Sequence, residues 1–173
     1  MESLDALYER MLGLLHRAVV DRKSPFRTPV VCTTSDAGAH GRVMVLRALR
    51  GLREVPTLVF HTDARTPKTS QLTRDAEVVF WDSRKRIQVR ARGSAALVHP
   101  EAPPDLPGEG RDYRTLVAPG TPAESPDAKL GEAVHFVELH LTLRSLEWLA
   151  LRREGHRRAR FDATTRVGEW LVP

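Results

Sequence analysis

Two short runs hold the residues best able to do chemistry. Arg42-Val-Met-Val-Leu-Arg47 is an apolar stretch with a guanidinium at each end, and Thr62-Asp-Ala-Arg-Thr-Pro-Lys68 begins fifteen residues after it. In the second run Thr66 has the side chain of a helix N-cap. Pro67 suits the first helical position, where its missing N–H would be unpaired anyway. The pattern predicts a turn and then a short helix over Lys68 to Arg74. Its free N–H groups and positive dipole end would face Thr62 to Thr66, with Lys68 adding charge. Such a set could hold one phosphate-bearing anion. An ordinary capped helix with a solvated lysine has the same local pattern, so spacing alone leaves both readings open.

The arginine pair narrows the geometry. On a regular strand Arg42 and Arg47 face opposite sides, roughly 16 Å apart at the usual rise per residue. That span is comparable to the long dimension of a flavin nucleotide. One arginine could hold a phosphate end, while the other lies nearer a reactive end or serves a second pocket through a bulge. His156, set among arginines, is the histidine to test as an acid–base group. Cys32, in an apolar strand, reads as a core residue rather than a nucleophile. The chain has no GxSxG elbow, HExxH, Walker A or Rossmann glycine fingerprint.

These residues need a scaffold, and the hydrophobic pattern supplies one. Leu4, Leu7, Met11, Leu14, Leu15 and Ala18 recur at three- and four-residue intervals, so Ser3 to about Arg22 forms an amphipathic helix stopped by Ser24-Pro25. Thr28 to Thr34 reads as a strand, followed by a turn at Ser35 to Gly38. Further strands are expected at Arg42 to Leu49, Thr57 to Thr62, Val78 to Trp81 and Ile87 to Val98, with Gly93 marking a bend or bulge. From His99 to Asp127 prolines gather into a long loop with room for one helical turn at Tyr113 to Val117; such a connection is usually functional or mobile. Strands resume at Val134 to Leu143, Leu146 to Leu151, Arg158 to Asp162 and Glu169 to Val172. One leading helix before many short strands suggests a closed or partly closed antiparallel barrel, a single domain over residues 1–173.

Composition sets the limits. The 173 residues are 41% hydrophobic and 28% charged, an ordinary globular mixture. No run of apolar residues is long enough for a membrane span, and the acidic N-terminus lacks a signal pattern. One cysteine excludes an internal disulfide and a cysteine-based zinc site. A reduced, cytoplasmic setting fits. The net charge of +5 invites a nucleic-acid reading. Against it, the arginines are spread along the chain, and the densest cluster, Arg152 to Arg160, has only Trp148 and Phe161 as nearby aromatic residues.

Four segments in order resemble a known family. Arg42-Val-Met-Val-Leu-Arg47, then His61-Thr62 with Thr66 and Lys68, then Arg86-Ile-Gln-Val-Arg-Ala-Arg-Gly93, and finally Leu146-Glu-Trp-Leu with His156-Arg-Arg158 are similar to the FMN-binding core of the pyridoxamine 5'-phosphate oxidase-like proteins. The resemblance implies a mainly β split barrel with flanking helices, forming a homodimer with FMN between the subunits. It also implies that Arg42, Thr66 and Lys68 hold the phosphate with help from Thr62. Backbone groups of Val43, Met44, Val45 and Leu46 and the side chain of Gln88 would then lie by the ring. His61 stands where relatives place an aromatic residue, and Arg47 where they carry a lysine. Trp148 and Arg158 would reach the flavin from the partner subunit. A buried phosphate needs charge-assisted hydrogen bonds, and reduced flavin needs donors near its pyrimidine edge.

Departures from the family fall on substrate positions. Position 67 is proline instead of arginine, the C-terminal arginine–histidine pair becomes Glu154 and His156, and the region 99–127 offers only Tyr113 and Arg114. The resulting expectation is a flavoprotein that passes hydride from a small-molecule substrate to flavin. An FMN store or sensor, or a basic nucleic-acid-binding barrel, are the alternatives.

Overall fold

The computed structural model describes residues 2–67, 69, 75–101, 112–127 and 129–173. Its leading helix, α1 (Leu4–Val20), starts as the spacing predicts. Ser3 caps it by accepting from the Ala6 amide, 3.2 Å away. The Arg27 guanidinium closes the other end on the carbonyls of Ala18 and Val19. Leu7, Tyr8, Met11, Leu12, Leu15 and Ala18 form its buried face, each large apolar side chain contributing about 1.5–3 kcal/mol on burial.

Nine strands follow among the described residues: β1 (Val30–Ser35), β2 (Gly38–Val43), β3 (Leu46–Arg50), β4 (Thr57–Asp63), β5 (Asp75–Asp82), β6 (Ile87–Val98), β7 (Phe136–Ala150), β8 (Arg157–Asp162) and β9 (Gly168–Leu171). They make one antiparallel sheet in the order β2-β1-β5-β6-β7-β4-β3, with β8 on β7 and β9 on β8. The architecture is mainly β with one N-terminal helix, a split barrel whose ladder does not close. Its core joins α1 to Leu46, Leu58, Phe60, Phe80, Leu141, Trp148 and Phe161.

Two expected boundaries are corrected. Arg42 to Leu49 is not one strand. The chain leaves β2 at Val43 and begins β3 at Leu46, because Met44 N donates to Pro29 O (3.1 Å) and Leu46 N to Arg27 O (2.8 Å). Conversely, the segments expected at Val134 to Leu143 and Leu146 to Leu151 are one strand. Its first half pairs with β4 and its second half with β8, while β6 runs along its other edge. The change of partner breaks the local alternation without breaking the strand. Gly93 marks a bulge between β6 and β7, as expected. A Cβ at Gly93 would run into the Thr142 carbonyl oxygen.

Candidate functional site

Register decides which way each candidate faces. Arg42 pairs with Val31 and His40 with Thr33, and Val31 is a core residue. Arg42 therefore lies on the inner side of the sheet, where its NH1 donates to Thr33 Oγ1 at 3.1 Å. Burial lowers the pKa of this guanidinium from its ordinary value, and an anionic ligand would restore the preference for charge. On β4, Thr62 follows Leu58 and Phe60 on that same inner side. Leu46 pairs with Phe60, so extending that antiparallel register places Thr62 beside the Met44–Val45 link that leads back to Arg42. The Thr62 hydroxyl oxygen is buried and has no hydrogen-bond partner among the described residues. Such a group costs about 1–3 kcal/mol unless something satisfies it.

The turn after β4 is built from its own hydrogen bonds. Asp63, 3% exposed, accepts from Arg65 N (2.8 Å), Nε (3.1 Å) and NH2 (2.7 Å). Burial alone would raise its pKa, but the Arg65 bonds outweigh that and hold the carboxyl below the usual carboxylate range. The Asp63 carbonyl accepts both Thr66 N (3.2 Å) and Thr66 Oγ1 (3.0 Å). Thr66 thus donates backwards to Asp63, where sequence spacing has it accepting from the helix. Thr69 N returns to Thr66 O (3.0 Å), the start of a helical turn. Of the expected helix over Lys68 to Arg74, Lys68 and residues 70–74 lie outside the described residues. Arg65 also reaches Thr115 Oγ1 (3.1 Å), so the proline-rich loop leans on this turn.

Arg47 is the extra residue of a bulge: Leu46 pairs with Phe60, and Ala48 with the adjacent Val59. A bulge re-aims a side chain, which replaces the plain-strand geometry of the two arginines. Within the link, Met44 and Leu46 bury their side chains and commit their amides to Pro29 and Arg27. Any ligand contact from here falls to the remaining groups of Val43 to Leu46. His61 lies edge-on to Phe136 with ring centroids 4.8 Å apart, and Tyr113 meets Phe136 in a similar edge contact at 5.1 Å.

The C-terminal candidates divide between two faces. Trp148 is 2% exposed inside the core, with the Arg10 guanidinium 4.5 Å above its ring. Within its own chain it is a core residue, not a surface residue facing outward. Arg158 lies on the outer face, where Gln88, Leu149 and Arg158 form one cross-strand row. Arg158 NH2 donates to Glu147 (3.0 Å), which also takes Arg90 NH1 (3.3 Å). Its Nε is buried without a partner among the described residues. His156 is exposed in the β7–β8 turn and accepts the Arg152 amide on Nδ1 (3.2 Å), which leaves Nε2 as the outward nitrogen. Sequence reasoning missed Thr33, the Asp63–Arg65 lock and Glu147. The Asp-x-Arg spacing signals the lock, whereas Thr33 and Glu147 are visible only through register.

A flavin nucleotide needs donors for a phosphate and polar groups for a ring edge. Arg42, the unsatisfied Thr62 hydroxyl and the unsatisfied Arg158 Nε are of the right kind. A family model described as pyridoxamine 5'-phosphate oxidase, FMN-binding domain, matches residues 10–99. Among solved structures, the chain is similar to a pyridoxamine 5'-phosphate oxidase-related FMN-binding protein from Nostoc punctiforme. The TM-score is 0.67 at 22% identity, over 95% of this chain and 96% of that one. It is also similar to PhzG from Burkholderia lata, solved with tetrahydrophenazine-1-carboxylic acid, with a TM-score of 0.69 at 17% identity over 96% and 91% of the two chains. These likenesses show the fold. No protein of curated function matches the chain in sequence.

Proposed function

This chain belongs to the pyridoxamine 5'-phosphate oxidase FMN-binding domain family, and on that premise we propose that it is an FMN-dependent oxidoreductase acting on a small molecule. Its cofactor is FMN. When bound, FMN supplies hydride acceptance, and the protein supplies position and electrostatics. The observation that supports the placement of the cofactor is the buried Thr62 hydroxyl, unsatisfied among the described residues, on the inner side that Arg42 shares. Arg42, Thr62 and Thr66, with Lys68 beyond the described turn, would hold the phosphate. The Thr66 hydroxyl would turn its proton from Asp63 O toward that anion. The Asp63–Arg65 lock keeps Thr66 in place while it does so. Gln88 and Arg158 offer an amide and a guanidinium to a ring edge, and Glu147 anchors the Arg158 guanidinium.

A homodimer with the site between two copies accounts for the outer face at the other end of the sheet. Val43, Val30 and Val79 form one cross-strand row there, and Val43 is 67% exposed. A second copy would cover this apolar surface and bring its own Arg158 toward the flavin. Among the described residues no helix is long and apolar enough to cross a membrane.

The test is titration of flavin-stripped protein with FMN, read by flavin fluorescence and by molar mass in solution. One FMN per chain in a dimer is the expected result. A chain that stays monomeric at saturating FMN contradicts the shared site, and absence of saturable binding contradicts the cofactor assignment. Bleaching of the bound flavin by a reduced substrate separates turnover from storage.

A further inference from the structure

The arginines of the outer sheet face are neutralised pair by pair. Arg90 and Arg92 meet Glu77, Arg90 and Arg158 meet Glu147, Arg144 meets Asp75, and Arg160 meets Glu169. At one end of the same sheet this stops. The β5–β6 turn presents Arg84, Lys85 and Arg86, and the β7–β8 turn presents Arg152 and Arg153, with Arg157 opening β8, all exposed. None of the six meets a carboxylate among the described residues. The two turns are neighbours, since β6 pairs with β7 from Ile87–Ala150 onward and Leu151 N donates to Arg86 O at 3.0 Å. Sequence separates these two clusters by more than sixty residues; the ladder makes them one edge.

The acids nearby do not cancel it. Asp82 is buried and spends its carboxylate on the Arg84 and Lys85 amides, 3.0 Å each. Glu154 is the one acid within the β7–β8 turn. Arg86 has φ 55°, a backbone conformation that glycine adopts without strain and other residues rarely do. The β7–β8 turn meets the same demand with Gly155, φ 114°. A guanidinium thus stands where backbone preference favours glycine. From this edge the row Trp81, Gln88, Leu149 and Arg158 runs across the outer face, with Trp81 offering an exposed ring.

We infer that this edge captures a multiply anionic small molecule, of the charge class of a nucleoside diphosphate, and delivers it to the site that Gln88 and Arg158 help to form. The inference rests on the flavoprotein reading and names the substrate class that reading leaves open. The compactness of the cluster favours a small ligand. Six cations gathered on two adjacent turn tips match a short run of phosphates, whereas a nucleic-acid strand is tracked by an extended groove. A concentrated positive edge also raises the encounter rate of an anionic ligand in a salt-dependent way.

The experiment uses FMN-saturated protein, so that the cofactor's own phosphate site is filled, and inorganic tripolyphosphate as the probe in calorimetric titrations at several salt concentrations. Two four-fold charge-reversed variants are compared with the parent. One carries Arg84→Glu, Lys85→Glu, Arg152→Glu and Arg153→Glu. The other makes the same net charge change elsewhere on the surface, with Arg17→Glu, Arg22→Glu, Lys23→Glu and Arg53→Glu. Saturable, salt-sensitive binding is expected for the parent and the second variant, with a loss of roughly tenfold or more in the first. Equal loss in both variants, or no saturable binding by the parent, overturns the inference. Tighter binding of a short oligothymidylate than of tripolyphosphate through the same four residues overturns it in favour of nucleic acid. FMN content is measured in parallel: unchanged FMN content separates a failure of this edge from a failure of the flavin assignment.

Discussion

The inner end of the barrel and the hairpin-tip edge both hold polar groups with unfilled capacity, but they hold them at very different cost. At the inner end Thr62 and Thr33 are each 2% exposed, and the hydroxyl of Thr62 has no partner among the described residues. Keeping such a group dry costs stability in the free protein, so its position points to a ligand that satisfies it. At the edge, Arg84 to Arg86 and Arg152, Arg153 and Arg157 are solvated and cost almost nothing to keep. There the information lies in their convergence and in the lack, among the described residues, of carboxylates like those that neutralise Arg90, Arg92, Arg144, Arg158 and Arg160. Buried polarity reports a site through its penalty, while exposed charge reports one only through arrangement.

Both regions depend on one scaffold feature, and its loss is the largest effect expected. The Gly93 bulge lets β6 pass the Thr142 carbonyl and sets which residues of β6 face outward on either side of it. Gly93→Ala forces that close approach apart and should cost about 3 kcal/mol or more, as overpacking of a close contact does. Chemical denaturation would read it, with FMN binding and the basic edge impaired together. A variant as stable as the parent would show that the two regions do not share this constraint.

The edge and the inner end separate under milder changes. Reversing Arg84, Lys85, Arg152 and Arg153 should move unfolding free energy by only about 0.5 kcal/mol per site, as solvated surface changes usually do. Thr62→Val should move two quantities in opposite directions. Removing an unsatisfied buried hydroxyl leaves the FMN-free protein equally or more stable, by up to about 1 kcal/mol, while FMN affinity falls by about 1 kcal/mol. Thermal melts with and without FMN read both. A Thr62→Val protein that loses stability and keeps its affinity would place a structural partner on that hydroxyl.

The smallest effect concerns pH. The Arg65 bonds hold Asp63 below its ordinary pKa in the folded chain, so the folded state binds fewer protons than the unfolded one in that range. The stabilisation is complete above the ordinary carboxylate pKa near 3.8 and is lost as pH falls through the lower folded value. Asp63→Asn should flatten this acid limb of the stability profile and leave the neutral-pH limb in shape. An unchanged acid limb would assign it to other carboxylates, such as Glu77, which burial raises but Arg90 and Arg92 hold low.

What the sequence made legible follows from what local pattern encodes. The α1 face, the end residues of β6 and the Gly93 bulge all show in spacing or residue type. The break at Met44–Val45 did not, because apolar residues continue straight through it while the hydrogen-bond partner changes from β1 to Arg27 and Pro29. The single β7 presents as two strands in the sequence for the converse reason, a change of partner without a break. Trp148 shows the limit for the site: its motif position marks it, but alternation along β7 turns its ring into the core and leaves Glu147 and Leu149 beside Gln88 and Arg158. The joining of Arg84–Arg86 to Arg152–Arg157 depends on register alone.

The proposed role of Arg42 and its inner-side neighbours is to hold the FMN phosphate. The direct measurement is the affinity of the parent and of Arg42→Ala for FMN and for riboflavin, which lacks the phosphate. Arg42→Ala should weaken FMN binding by about 1.5–3 kcal/mol, the usual worth of a hydrogen bond to a charged group, and leave riboflavin binding unchanged. Equal FMN affinity in the two proteins, or an equal loss for both ligands, would contradict it.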